Sequence, residues 1–325
     1  MYRLSLTIVS CFIYSTSFAQ STSTVQYLAN EGVMVTHEDT KILFDPLFTN
    51  GYGQYQMVPD AMRDAIFAGE PPYDGVDAVF ISHHHGDHFS AEDVLRLLRS
   101  QPGIKLYAPA QAVSAIQQIA TADDTSVLDS LVGLDLNYGD APVRIDADNL
   151  TVNAVHIPHS GWPTARTDVQ NITFRVTLDG TSTVLHLGDA DARIIHFAAD
   201  EDYWEERHIN LALPPYWFFG SDDGVEILED RLDIGVAIGV HDREEACVRF
   251  DRSGKYLWLA DGYFSRAAHE LPGVPWRRHP FAGRGHQDTI PPGRGIVRVE
   301  EPIHRDIYEV WIADELLAIR EGCLQ

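Results

Sequence analysis

Short apolar runs separated by turn residues set the rhythm of the first part of the chain. Residues 24–29 and 33–36 read as strands joined by the tight turn Asn30-Glu31-Gly32. Residues 41–44 read as a third strand that stops at Asp45-Pro46, because proline pushes Asp45 into an extended conformation. A long connection over 47–72 follows, rich in aromatic side chains and carrying a short helix at 59–68; such a loop serves equally as a pocket wall or as ordinary packing. The continuous apolar run 76–82 predicts a buried strand. Ser90-Ala91-Glu92-Asp93 then reads as a capping box opening a helix over 91–100, with Val94, Leu95, Leu97 and Leu98 as its apolar face. A strand at 104–108 and a helix at 109–120 continue the alternation, which indicates an α/β layer. Beyond Thr121 strands dominate: 134–136, 143–145, 150–155, 172–178, 183–187 and 232–240, with Asp179-Gly180 as a hairpin turn. From residue 246 onward proline, glycine and arginine are frequent, and a helix over 307–319 is the one element the pattern predicts there.

The chain has 325 residues, 45% of them apolar, enough for a large core. Its 24 basic and 48 acidic side chains give a charge of −24, all of it within residues 1–245. Such a surface repels nucleic-acid phosphates and anionic membranes, which argues for a small-molecule substrate and against a nucleic-acid partner. Met1 to Ala19 resemble a secretory signal, with Arg3, an apolar stretch over 4–18, and Ser17-Phe18-Ala19 as the cleavage site before Gln20. Export to the periplasm or beyond is therefore expected, without stable membrane insertion once the signal is removed. Cys247 and Cys323 remain, too few for a disulfide framework and without Cys-x-x-Cys spacing.

The chemistry concentrates in Ser82-His83-His84-His85-Gly86-Asp87-His88, directly after the strand at 76–82. In an extended chain, residues two apart share a side, so His83 and His85 aim together while His84 faces away. Gly86 permits a turn that swings Asp87 and His88 toward a second, neighbouring position. Imidazole and carboxylate are the donors that zinc and similar divalent metals prefer. Three further strand ends add His156 to Trp162, Gly188-Asp189 and His241.

The order Asp45, His-x-His-x-Asp-His at 83–88, a later His, Gly-Asp at 188–189 and a strand-end His resembles the metallo-β-lactamase-fold hydrolase superfamily. Tyr27 to Val33 and Ile42 to Asp45 are similar to the branch containing the ascorbate-phosphate lactonase. The resemblance implies a four-layer αββα sandwich over residues 20–245, between a signal at 1–19 and a C-terminal extension at 246–325. It implies two zinc ions, with Mn2+ or Fe2+ as alternatives. His83, His85 and His159 would hold one ion and Asp87, His88 and His241 the other, with Asp189 bridging; His156 is the alternative to His159. Asp45 would brace the loop from behind, and Asp87 would also move a proton. The implied activity is hydrolysis of an ester, lactone or phosphodiester by a hydroxide shared between the ions. The alternatives are a secreted β-lactamase-like amide hydrolase, although the fourth motif carries Asp189 rather than Cys or Ser, and a metal-binding protein without catalysis. A di-iron oxidoreductase of this fold would typically carry Glu where His85 stands. Trp162, Tyr216, Trp217, Phe218 and Phe219 are candidate pocket walls or core. The remaining histidines, among them His37, His186, His196 and His208, are expected to be structural.

Overall fold

A computed structural model describes residues 23–198 and 201–241 and, beyond them, backbone strands at 247–251, 255–259, 296–300, 307–313 and 317–322. Six strands form the core of a first sheet: β1 (Ser23–Ala29), β2 (Gly32–His37), β3 (Thr40–Phe44), β4 (Ala78–Phe80), β5 (Lys105–Pro109) and β6 (Leu131–Leu134). The first three are antiparallel hairpins, and β3 to β6 are parallel. Six more form the core of a second sheet: β7 (Val143–Ala147), β8 (Leu150–His156), β9 (Ile172–Leu178), β10 (Ser182–His186), β11 (Ile209–Leu213) and β12 (Ile234–Ile238). Here the run from β7 to β10 is antiparallel, and β11 and β12 continue in parallel.

Strand alternation builds the layers. Ile42 and Phe44 point between the sheets and Leu43 points outward; Ala78 and Phe80 point inward and Val79 outward. The inner layer packs them against Ile172, Phe174, Val176 and Val184 of the second sheet, with the Phe80 and Phe174 rings 5.2 Å apart. Outside the first sheet, helices α1 (Asp60–Ala68), α2 (Ala91–Ser100) and α3 (Ala110–Ile119) cover Leu43, Val79 and Leu106. Outside the second sheet, Leu185, Ala212 and Ala237 are covered by Phe197, Trp204, Phe218 and Leu228 from short helical segments. The result is the expected αββα sandwich. Each fully buried Phe or Leu in these layers contributes about 1.5–3 kcal/mol of hydrophobic stabilisation.

Several elements differ from the pattern reading. Ser90 caps α2 by accepting from the Asp93 amide at 3.3 Å, but Asp93 does not return the bond. Its carboxylate is taken instead by Arg63 of α1 at 2.7 Å. β11 went unread because Pro214-Pro215 and the aromatic run after it masked a five-residue apolar strand. The expected helix at 307–319 is two strands, β16 (Ile307–Ala313) and β17 (Leu317–Gly322); its β-branched and aromatic residues suit a pleated surface better than a helix. Together with β15 (Ile296–Glu300) these strands continue the first sheet beyond β1, whereas β13 (Cys247–Asp251) and β14 (Lys255–Leu259) continue the second beyond β12. The signal-like segment, Cys323, His269, His279, His286 and His304 lie outside the described residues.

Candidate metal centre

Five strand ends deliver the polar residues to one place. Asp45 follows β3, the histidine run follows β4, His159 follows β8, Asp189 follows β10 and His241 follows β12. Hydrogen bonds between these loops lock them together: Ser160 N donates to Asp189 O at 2.7 Å, and Ile172 N to Ser82 O at 2.8 Å. Gly188 is there because nothing larger fits. It has φ +55°, and a Cβ would lie 2.5 Å from Asn171 Oδ1 and 2.6 Å from Ser82 Cβ. Gly86 sits in the expected turn, in which His88 N and Phe89 N donate to His85 O at 3.1 and 2.9 Å, and it does so without a positive φ. Its role is close approach: a Cβ would meet Asn50 Cβ at 3.2 Å, where Asn50 N donates to Gly86 O.

The donors fall into two groups. In the first, His83 Nε2 and His159 Nε2 lie 3.1 and 3.2 Å from His85 Nδ1, and His159 Nε2 lies 3.0 Å from Asp189 Oδ2. In the second, His241 Nε2 lies 3.3 Å from Asp87 Oδ2, with His88 Nε2 3.8 Å from the same oxygen. Asp189 Oδ1 sits 3.3 Å from His88 Nε2 and 3.1 Å from His241 Nε2, so the two oxygens of one carboxylate face the two groups. All seven expected donors are brought together. His84 belongs to neither group, and His156 Nδ1 is bound to Leu136 O at 3.0 Å, away from the cluster.

The donor set fits divalent ions. Bonds of about 2.0–2.1 Å in a tetrahedron need donors roughly 3.3–3.4 Å apart, close to the spacings in both groups. His88 Nε2, His241 Nε2 and Asp189 Oδ1 are buried without a hydrogen-bond partner, although Asp189 Oδ1 lies 3.3 Å from His88 Nε2 and 3.1 Å from His241 Nε2. They aim at a shared point rather than at each other, and a cation satisfies all three. Burial, reinforced by neighbouring histidines, pushes His83 well below the usual histidine range and His85 down to about 4, so both are neutral donors at pH 7. Burial also pulls His88 down, but Asp189 and Asp45 outweigh it and raise His88 well above that range. Burial works against the Asp189 charge, yet His241 and His88 hold its carboxyl well below the ordinary range.

Behind the donors, the rings of His88 and His159 have their orientation fixed. Asp45, fully buried, accepts from Ser82 N at 2.7 Å and Ser82 Oγ at 2.5 Å and faces His88 Nδ1 at 2.9 Å, which leaves Nε2 of His88 for the site. His159 Nδ1 donates to Ser160 O at 2.9 Å, and Asp189 N donates to Asn171 Oδ1 at 2.9 Å. Pattern reading missed Ser82, Asn171, Asn30, Glu31 and His186. Glu31 and His186 are fully buried beside His88, with Glu31 Oε2 3.3 Å from His186 Nε2. Burial, with the neighbouring carboxylates, pushes the Glu31 carboxyl well above its usual range. The one sequence hint was an acidic residue in a hairpin turn flanked by apolar strands.

The surroundings of the site are aromatic. Tyr55, from the long loop after β3, packs edge-on against His241 with centroids 4.4 Å apart, and Trp217 does so at 5.3 Å. The loop is thus a wall of the centre. Trp217 also lines a groove of about 350 Å³ with Ser160, Asp191, Arg193 and Asp223. Phe218 is core, packed against Phe197. His196 is buried and bridges Asp191 and Tyr138 at 3.1 and 2.9 Å.

Residues 40–209, more than half of the chain, match the beta-lactamase superfamily domain. The chain belongs to the beta-lactamase superfamily. It is on that ground a metal-dependent hydrolase, and its His and Asp clusters are candidate sites for divalent metal. The superfamily match contains Asp45, His83 to His88, His159 and Asp189; Glu31 and His241 lie outside it. Solved structures similar to the chain include Igni18, a metallo hydrolase from Ignicoccus hospitalis KIN4/I, at 18% identity over 68% of this chain and 82% of that one, TM-score 0.46. CmlA, a diiron beta-hydroxylase from Streptomyces venezuelae, is 15% identical over 63% of this chain and 37% of that one, TM-score 0.39. The isothiocyanate hydrolase from Delia radicum gut bacteria is 12% identical over 60% and 70%, TM-score 0.40. No curated protein matches the chain.

Proposed function

We propose that the chain is an exported binuclear zinc hydrolase that opens or cleaves a small-molecule ester, lactone or phosphodiester. The observation that carries this reading is the division of one carboxylate between two donor groups, Asp189 Oδ2 toward His159 and Oδ1 toward His88 and His241. His83, His85 and His159 would hold one ion, Asp87, His88 and His241 the other, and Asp189 both. Two such ions supply a polarised electrophile and a water whose pKa is lowered toward neutrality.

The chain's own residues do the rest. Asp45 fixes His88 through Nδ1, and Ser160 O fixes His159 through Nδ1, so neither ring turns as charge develops. Asp87 is 4% exposed, the side chain of its group best placed to take a proton and pass it to a leaving group. Tyr55 and Trp217 wall the second position beside His241, and the 350 Å³ groove beside Ser160 is the size of a small-ligand site. The similarity of residues 27–33 and 42–45 to the lactonase branch makes a lactone the first substrate to try, and the −24 charge supports a small molecule over a nucleic acid. Export rests on Met1 to Ala19; among the described residues no helix is long and apolar enough to cross a membrane.

The test combines metal analysis with a panel of lactones, esters, a β-lactam and bis(p-nitrophenyl) phosphate. Two equivalents of zinc per chain are expected, with turnover on the panel that Asp189→Ala abolishes while the circular-dichroism spectrum is kept. A single equivalent at saturation, or unchanged turnover in the variant, refutes the shared-carboxylate mechanism.

A further inference from the structure

The turn Asn30-Glu31-Gly32 has no part in the chemistry above, yet it is built into the second donor group. Asn30 Nδ2 donates to Asp87 O at 2.9 Å, and His241 N donates to Asn30 O at 3.1 Å. Two of the three donors of that group therefore hang on Asn30. Glu31 reaches the third: its Oε2 lies 4.0 Å from His88 Nδ1, and a carboxylate oxygen lies within 4.8 Å of donor atoms of both His88 and Asp189.

Glu31 is 0% exposed, and neither of its carboxylate oxygens has a hydrogen-bond partner. His186 does not remedy this. Its Nε2 is 3.3 Å from Glu31 Oε2, but its hydrogen is directed to the Glu31 backbone oxygen at 3.2 Å. No lysine or arginine among the described residues forms an ion pair with it. A carboxyl kept for structure alone would have donors around it, because burying one bare is costly. Positive charge in the adjacent donor group accounts for it.

We propose that Glu31 is the charge partner of the ion held by Asp87, His88 and His241, and that it sets the affinity of that position relative to the other. The inference rests on the two-ion reading above. Through-space attraction between a bound cation and a carboxylate fixed beside it would add to the ligands' own binding, and partners just outside the ligand shell typically change metal affinity by about 10–100-fold. It gives the second group an anion that the first, with His83, His85 and His159, lacks.

The experiment uses the full chain, stripped with a chelator and titrated with Zn2+ against a chromogenic competitor. Wild type, Glu31→Gln and Glu31→Asp are compared, each melted with and without zinc. In Glu31→Gln the first equivalent is expected to bind as in wild type and the second about 10–100-fold more weakly. Stripped Glu31→Gln should melt at or above stripped wild type, since a neutral amide replaces an unpaired carboxyl, while its gain on loading is smaller. Glu31→Asp, which keeps the charge, should recover most of the second-site affinity. Unchanged second-site binding in Glu31→Gln, or a melting loss equal in the stripped and loaded forms, overturns the proposal. If Glu31→Gln does not fold, a second-site affinity for Glu31→Asp as weak as that of Glu31→Ala overturns it as well. A wild type that saturates at one equivalent refutes the two-ion reading itself, an outcome visible before any variant is compared.

Discussion

Asp45→Asn separates hydrogen-bond chemistry from shape at the most connected point behind the site. Asp45 has φ +37°, not the extended conformation expected before Pro46 but the left-handed side that asparagine tolerates, so the backbone is not strained by the change. The side chain accepts three donors: Ser82 N at 2.7 Å, Ser82 Oγ at 2.5 Å and His88 Nδ1 at 2.9 Å. An amide offers one acceptor atom where the carboxylate offers two. If its oxygen faces Ser82 N, its NH2 meets the Nδ1 hydrogen of His88; if it is flipped, the Ser82 amide is left without an acceptor. Losing a charge-assisted bond costs about 1.5–3 kcal/mol, and the stranded buried donor about 1–3 more, roughly 2.5–6 kcal/mol together. At about 2–4 °C per kcal/mol for a large domain, the melting temperature should fall by roughly 5–24 °C. Because the His88 ring loses its anchor, zinc affinity should also drop about 10–100-fold. Differential scanning calorimetry and a chelator competition read the two effects. A melting temperature within about 2 °C of wild type, with metal affinity unchanged, would show that Asp45 does not orient His88.

Two more outcomes follow from the same geometry. Gly188→Ala places a Cβ 2.5 Å from Asn171 Oδ1 at a φ of +55°, which should cost roughly 2–4 kcal/mol in chemical denaturation and release Asp189 from the Asn171 bond; a stable, metal-loaded variant would contradict it. Acid should destabilise the chelated protein through His83 and His85. An unfolded histidine takes up its proton near pH 6.5, whereas burial holds His85 down to about 4 and His83 well below its usual range. The unfolded state therefore binds more protons in that window, and stability falls as pH drops from about 6.5 toward 4. His88, raised by Asp189 and Asp45, works in the opposite sense: its contribution is complete below about pH 6.5 and is lost as pH rises through its folded pKa. Melts of the chelated protein that stay flat from pH 6.5 to 4 would count against the buried, neutral state of His83 and His85.

The sequence by itself determined most of the elements and the candidate donors. The apolar run at 76–82 made the strand Ala78–Phe80, Ser90 capped a helix, and the His-x-His-x-Asp-His spacing placed four candidate donors within six residues. Each of those signals is local, since a strand alternates, a cap reaches three residues on, and a short loop can turn only so far. The tertiary structure decided what local signals cannot carry. The sequence favoured His159 over His156 by resemblance; the fold ends β8 on His156 and sets His159 beyond it, where Ser160 N pairs with Asp189 O. Gly86 makes the turn its sequence predicts, but its close approach to Asn50 belongs to the fold alone. The helix expected over 307–319 gave way to strands because sheet extension, not helical periodicity, organises that stretch. Glu31 looked like a polar turn residue until two sheets closed over it. Burial depends on what the rest of the chain brings alongside, and no window around residue 31 contains His88, His186 or Asp189.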